Sequence, residues 1–468
     1  LAFGLLDVMI ALAPGSIPRR EDIGIDGTAL GFTLGVAVLV GVGIGLLPAL
    51  RASNIDLATR LSEGTRGASG AVRHGRIRDA LVVIQLGLAL VLLVSAGVLL
   101  KSFMSLLAIE TGIRPQNVLT FETSLPDSRY QTFEQRRLFY DQLLRDLRAV
   151  PGVVSAGSAV YLPASGWFHS TSFEVEGYAA ARDERFEAEL KQVSPDYFAT
   201  MGIDLEEGRA FTNDDDESAP KVVVVNQFMA GRYWGQRSAV GGRLRLGNAW
   251  HDVVGVVGDV RYRGAGMDGR HAADGPRIYL PYASGSRQRG NMAVVVRTVG
   301  DPASLAPQVR RVLSSIDPNV ALFGVRPLED ILWDAVAGPR FRTWLLGVFG
   351  LASLILSVVG VYGVMAYAVA QRTRELGIRK ALGADQGHIV TYVVTQGLII
   401  SALGVVIGVL GALAAAGVLR SYLYNLAPRD PGTFVIAAIV LVTASLAACL
   451  VPALRAARVD PLIALRAE

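Results

Sequence analysis

The feature that most constrains this chain is a set of five apolar runs, at 29–50, 80–100, 344–370, 389–419 and 434–454, none of which contains a Lys, Arg, Asp or Glu. A helix needs roughly 20 apolar residues to cross a bilayer. A charge-free run of that length satisfies its own backbone hydrogen bonds only as a spanning helix. Composition agrees, with 51% hydrophobic and only 18% charged residues in a 468-residue chain. A sixth apolar stretch, 1–13, is shorter and carries Asp7. It reads as the tail of a span in a fragment whose upstream part is missing, since no basic n-region or small-residue cleavage site accompanies it.

Orientation follows from arginine, which is retained on the cytoplasmic side of short loops. The segment 51–78 holds Arg51, Arg60, Arg66, Arg73, Arg76 and Arg78 against Asp56 and Glu63. Placing it in the cytoplasm puts 371–388 and the tail from Arg455 on the same side, and 102–341 outside. Lys101, Arg340 and Arg342 are the exceptions, next to span ends where long side chains snorkel. The basic balance therefore reports topology, and no nucleic-acid partner is expected. The single cysteine, Cys449, lies inside the last run, which rules out an intrachain disulfide.

Residues 102–341 are long enough for a core of their own. They read as mixed α/β. Strands are expected at 118–124 and 153–160 around a helix at 130–150, and the far end repeats the pattern with strands at 292–299 and 320–325 around a helix at 303–316. These two ends are expected to pair into one subdomain. A β-rich stretch between them, with strands at 221–226, 252–260 and 277–282, is expected to form a second, inserted subdomain. A glycine-rich loop spans 261–275.

An internal repeat sets the organisation. Pro48-Ala49-Leu50-Arg51-Ala52 recurs as Pro452-Ala453-Leu454-Arg455-Ala456, and at the same offset Asp56 matches Asp460 and Leu61 matches Leu465. Each copy follows a charge-free run at its cytoplasmic exit, so one unit is expected to end near Gly64 and a second to fill the rest. The expected domains are 1–64, the last spans of an upstream unit; 65–78, a cytoplasmic linker; 79–101, the first span of a second unit; 102–341, the outer domain; and 342–468, three further spans with the cytoplasmic segment 371–388. The fold class is thus an α-helical membrane protein, a four-span unit plus the last spans of an upstream one, with a large α/β extracytoplasmic domain made of two subdomains.

One span, a large outer domain and three spans is a layout similar to that of MacB/FtsX-type ABC transporter permeases. Local motifs carry the resemblance further. The run Arg372-Thr373-Arg374-Glu375-Leu376-Gly377-Ile378-Arg379-Lys380-Ala381-Leu382-Gly383-Ala384 resembles the family's cytoplasmic segment that meets the ATPase. Three outer stretches resemble its periplasmic domain: Val193-Ser194-Pro195-Asp196-Tyr197-Phe198-Ala199-Thr200-Met201-Gly202-Ile203 with Gly208-Arg209-Ala210-Phe211; Val224-Val225-Asn226 ahead of Tyr233-Trp234; and Val254-Gly255-Val256-Val257-Gly258-Asp259-Val260. The tandem layout resembles the duplicated, stand-alone permeases of the family. The resemblance implies the bacterial inner membrane, a separate ABC ATPase that binds ATP and Mg, no cofactor in this chain, and an upstream permease half on the same polypeptide or a homodimer. A periplasmic or outer-membrane partner stays open.

The residues themselves are compatible with an ATPase-coupling role for Arg374 to Ala384. Glu375 and Arg379 stand in the favourable order for a helical ion pair, although an exposed pair contributes only about 0.3 to 0.5 kcal/mol. Leu376, Ile378 and Leu382 offer apolar contacts, and Gly377 and Gly383 permit close approach. Read without the family, the same segment is an ordinary basic inside loop around Lys380 and Ala381. Gly404 and Gly408 form a G-x-x-x-G in a spanning run, a spacing that lets helices pack closely either within the unit or across a dimer.

Other motifs point to no chemistry. No G-x-x-x-x-G-K-[ST] loop, G-x-S-x-G or H-E-x-x-H occurs. The run Asp214, Asp215, Asp216, Glu217 lacks the alternating ligands of a calcium loop and reads as a solvated turn. His74, His169, His251, His271 and His388 are scattered, so no metal site is expected. Ser218-Ala219-Pro220-Lys221 fits S-x-x-K by chance only. Tyr161, Trp167 and Phe168 form either an outer surface or core packing. The function expected is that of a permease driving export or envelope mechanotransmission with a partner ATPase. The alternatives are a lipoprotein-releasing permease, an FtsX-like regulator of cell-wall hydrolases, or a membrane-anchored binding or sensory protein.

Overall fold

The computed structural model describes residues 26–28, 30–39, 42, 68–165, 169–178, 186–261, 275–284, 290–371, 386–419 and 430–457, with the side chains of 68–77, 386, 389, 418 and 419 excepted. The chain divides into two compact units, Leu1–Ser105 with Gly338–Glu468, and Leu106–Ala337.

The first unit is helical. Its long helices are α1 (Ala68–Leu107), α7 (Ala337–Gln371), α8 (Gln386–Leu419) and α9 (Pro431–Ala457). Among the described residues these four are long and apolar enough to cross a membrane. Of the run 29–50, only a ten-residue stretch, Leu30–Leu39, is described as an apolar helix. The remainder lies outside the described residues.

The second unit is mixed α/β. It contains β1 (Val118–Ser124), α2 (Phe133–Arg148), β2 (Val153–Ala159), β3 (Ser170–Val175), β4 (Glu187–Val193), α3 (Tyr197–Met201), β5 (Leu205–Gly208) and β6 (Val222–Asn226). It continues through α4 (Gln227–Tyr233), β7 (Arg243–Leu246), β8 (Ala249–Val257), β9 (Arg277–Pro281), β10 (Asn291–Thr298), α5 (Ala306–Ile316), β11 (Ala321–Pro327) and α6 (Leu328–Ala335). The two ends of the unit pair as an antiparallel sheet in the order β11-β1-β10-β2. Helices α2 and α5 cover one face of it through Phe139, Leu143, Leu147, Val309 and Leu313. Helix α2 starts where a capping box allows: the Thr132 hydroxyl accepts from Gln135 N, and the Gln135 side chain accepts from Thr132 N.

The inserted strands close on themselves. The order β4-β3-β7-β8-β6-β9 returns to β4 through a parallel β4–β9 pairing, Glu189↔Arg277 to Val193↔Pro281, so these six strands form a ring without free edges. The four-stranded sheet and the ring share one bridging strand pair, Ala159↔Val193. Strands buried on both faces read as unbroken apolar runs. In β6, Val222 and Val224 enter a core shared between sheet and ring while Val223 and Val225 enter the ring's own core. Along β10, Ala293 and Val295 face the shared core and Met292, Val294 and Val296 face α2 and α5.

Several local readings shift. The helix expected from 303 starts at Ala306, because Asp301 caps a separate 3₁₀ turn at Pro302–Leu305. The acidic run is a turn: Arg209 clamps Asp215 with contacts of 2.7 and 2.9 Å, Asp215 accepts from Thr212 N, and Asp216 accepts from Ser218. Tyr161 is buried, its hydroxyl donating to Leu190 O at 3.0 Å, whereas Trp167 and Phe168 lie outside the described residues.

Candidate functional site

The candidate site is the helical unit and the helix ends that flank the 372–385 segment. Helix α1 is the packing axis of this unit. Half of its apolar window is buried, against 17–28% for the other three. It reaches that burial by meeting each of the others at small residues, which let backbones approach. A methyl group placed on Gly404 would lie 2.5 Å from Leu86 Cβ, and one on Gly408 would lie 2.6 Å from Leu90 Cβ and 2.9 Å from Gly87 O. Gly404 and Gly408 therefore face α1 of the same chain. Gly350 and Gly360 of α7 lie under Leu93 and Gln85 of α1 in the same way. Helices α8 and α9 meet where Gly397 lies under Cys449, which is fully buried.

The outward ends of α1 and α9 are joined by charge. Lys101 Nζ lies 2.9 Å from the Asp430 carboxylate, which also caps α9 by accepting from Thr433 N at 3.1 Å and from the Thr433 hydroxyl at 2.6 Å. The Thr433 hydroxyl and then Lys101 hold the Asp430 carboxyl down at about 2. The positive charge of Lys101 on the outer side thus has a partner as well as room to snorkel.

The inward ends are joined differently. The Arg78 guanidinium, at the start of the membrane-spanning part of α1, stacks 3.8 Å above the Tyr367 ring of α7, and Tyr367 OH accepts from the Gln371 side chain at 2.7 Å. Arg455 of α9 donates to Tyr362 OH of α7 at 3.0 Å. Two tyrosines of α7 thereby hold α1 and α9 at the end where the 372–385 segment leaves α7 and enters α8. The residues expected to couple to an ATPase, Arg374 to Ala384, lie outside the described residues. Tyr362 and Tyr367 were not read as functional, being part of an apolar run. The available signal was their position in its last third, where aromatic residues mark the membrane interface.

In the outer unit the three motif stretches converge. Tyr197, Phe198 and Met201 of α3 fill the shared core, and Gly157 of β2 leaves room for the Tyr197 backbone, since a methyl there would lie 2.8 Å from Tyr197 Cα. Asn226 ends β6 and caps α4, and its amide reaches Asp259. These residues build the domain; among the described residues, no cluster of three or more His, Cys, Asp or Glu is placed to hold a metal ion.

Two family models match the chain: a MacB-like periplasmic core domain over residues 81–312 and an FtsX-like permease C-terminal domain over residues 347–461. The chain belongs to the MacB/FtsX-type ABC transporter permeases. Among curated relatives, this permease is 28% identical over 60% of its length to a macrolide export ATP-binding/permease protein MacB of Wolinella succinogenes, covering 43% of that protein. It is 27% identical over 89% of its length to a MacB of Azoarcus sp., covering 62% of it. It is 24% identical over 62% of its length to an uncharacterized ABC transporter permease, YknZ, of Bacillus subtilis, covering 72% of it. The chain thus spans about half the length of the first of these relatives, which also carry ATP-binding in their names. Both matched domains of this permease are membrane and periplasmic parts. It is a multi-pass protein of the inner membrane whose α/β unit lies in the periplasm.

Proposed function

We propose that this permease couples ATP hydrolysis by a separate ATPase to movement of its periplasmic domain, in the service of export. The ATPase binds ATP and Mg; this chain binds neither. Closure of the ATPase displaces the segment from Arg374 to Ala384, and the displacement passes into α7 and α8. One observation carries the reading: at the end of α7 where that segment begins, Tyr367 and Tyr362 hold Arg78 of α1 and Arg455 of α9. A push on the segment therefore moves several helices together. Two of them, α1 and α7, run directly in sequence into the periplasmic unit. Export is favoured over the other roles of the family because relatives named for macrolide export match 60 to 89% of the chain. An upstream permease half, or a second copy of the chain, supplies the other wall of the transporter.

The test is co-expression with a candidate ABC ATPase from the same organism. Purification through the permease brings down the ATPase, and the double variant Glu375→Lys, Arg379→Glu loses both the co-purification and export. An intact complex with unchanged export in that variant overturns the reading. Tyr367→Leu separates binding from coupling: the ATPase still co-purifies, while export falls because α1 no longer follows α7.

A further inference from the structure

A cleft of 260 Å³ opens in the periplasmic unit between α2 and the connections that leave β4, β5 and β9. That is below the roughly 300–1,000 Å³ of drug-sized sites and suits a ligand of a few heavy atoms. Its α2 wall presents Arg137, Asp141, Arg145 and Arg148, spaced so that all four share one helix face.

These charges are not equivalent. Arg137 is engaged by Glu134 through two contacts, of 2.9 and 2.8 Å. Arg148 is engaged by Asp196 at 2.7 Å and by Ala156 O at 3.2 Å. Arg145, in contrast, makes no ion pair or side-chain hydrogen bond among the described residues. Asp141 has only a 3.9 Å approach from Arg137. The cleft thus holds a cation and an anion a helical turn apart that attract each other through space without a close ion-pair contact between them. Tyr282 lines the opposite side; it is only 3% exposed, and its hydroxyl has no hydrogen-bond partner among the described residues. That hydroxyl is therefore free to donate to a ligand in the cleft. Leu138 and Pro281 add apolar wall.

We propose that this cleft binds a small zwitterion of the amino-acid class. Arg145 and the Tyr282 hydroxyl donate to its carboxylate, Asp141 accepts from its ammonium group, and the apolar wall takes its side chain. Neither a simple anion nor a simple amine satisfies both charges of α2. The site is independent of the coupling reading, because none of its residues lies in the helical unit.

The test uses the full chain purified in detergent, with L-leucine as the probe and 4-methylpentanoate and 3-methylbutylamine as single-charge analogues, followed by saturation-transfer NMR and calorimetry. Leucine binds saturably and both analogues bind at least tenfold more weakly. Arg145→Gln and Asp141→Asn each weaken leucine binding by about tenfold, equivalent to about 1.4 kcal/mol. Tyr282→Phe weakens it several-fold. Arg145 is exposed, so its variant folds, and circular dichroism checks this. No saturable leucine binding at about 10 mM, where even a weak site would register, overturns the proposal. So does leucine binding that Arg145→Gln leaves unchanged, or an acid analogue that binds as well as leucine.

Discussion

The Asn226 amide nitrogen donates to the Asp259 carboxylate at 2.7 Å, joining two motif stretches through residues 33 positions apart in the sequence. Asn226 is fully buried and uses its whole hydrogen-bonding capacity. It donates also to Gly275 O at 2.9 Å, and its oxygen accepts from Met229 N at 3.3 Å and Arg277 N at 2.8 Å. One side chain thereby caps α4, pins the start of β9 and anchors the turn after β8.

Asn226→Ala leaves two backbone N–H groups and the Asp259 carboxylate short of partners. At about 1–3 kcal/mol for each buried group left unsatisfied, the loss is about 3 kcal/mol. Asn226→Asp keeps the acceptors but sets a second carboxylate against Asp259, and it is no milder. Thermal unfolding of the purified chain measures both; an unchanged midpoint for Asn226→Ala refutes the account.

Gly408→Ala places a methyl against Leu90 and the Gly87 carbonyl, backbone that cannot yield without shifting α8 from α1. Overpacking of this kind costs about 1–3 kcal/mol. Gly417→Ala meets nothing within 4 Å and is the matched control. The measurement is detergent thermostability. If Gly408→Ala instead altered only the oligomeric state, leaving stability equal to the control, the intrachain packing would not be what Gly408 serves.

The Lys101–Asp430 pair makes a pH prediction. The Asp430 carboxyl is lowered from 3.8 to about 2 by the Thr433 hydroxyl first and Lys101 second. A depressed carboxylate contributes stability that is present above its unfolded value and is lost as pH falls through the folded one. Asp430→Asn is therefore less stable than the parent at pH 6, and the two curves converge between pH 4 and pH 2. Curves that stay parallel to pH 2 contradict this.

Sequence made some of this molecule legible and hid the rest for definite reasons. Charge-free runs revealed the spanning helices, and β1 falls at 118–124 as read, because Val-Leu-Thr-Phe is buried almost throughout. The ring was only half visible. Strands β6, β8 and β9 are rich in valine or aromatic residues, but β3, β4 and β7 read Ser-Thr-Ser-Phe-Glu-Val, Glu-Ala-Glu-Leu-Lys-Gln-Val and Arg-Leu-Arg-Leu. There, polar residues alternate with apolar ones and cross-strand pairs such as Glu174–Arg245 hold the outer face, so short segments resembled loops. The cleft on α2 was illegible because Tyr282 and Pro281 reach it from a strand more than 130 residues away. The tyrosines on α7 were hidden by the apolar run they interrupt.

Burial of charge in the ring gives the last prediction. Glu189 and Lys191 of β4 lie beside Arg277 of β9, with Arg277 Nε 2.6 Å and Lys191 Nζ 3.8 Å from the Glu189 carboxylate. Lys191 is 3% exposed and also lies 4.5 Å from the Tyr161 ring centre. Burial pushes its ammonium down from 10.5 to about 8, against the opposing pull of Glu189. Because the folded value is the lower one, the cost of holding this charge is fully present below pH 8 and is relieved as pH rises towards 10.5. Lys191→Met therefore leaves the stronger Glu189–Arg277 pair in place and raises stability at pH 7 by about 1 kcal/mol, the low end for replacing a buried ion with a hydrophobe. That gain shrinks between pH 8 and pH 10. Glu189→Gln acts in the opposite direction. It leaves two cations without the carboxylate they share and costs about 3–5 kcal/mol. Unfolding midpoints of the three chains across pH 7 to 10 test the ordering, and a Lys191→Met variant as damaged as Glu189→Gln would mean that the lysine stabilises the ring.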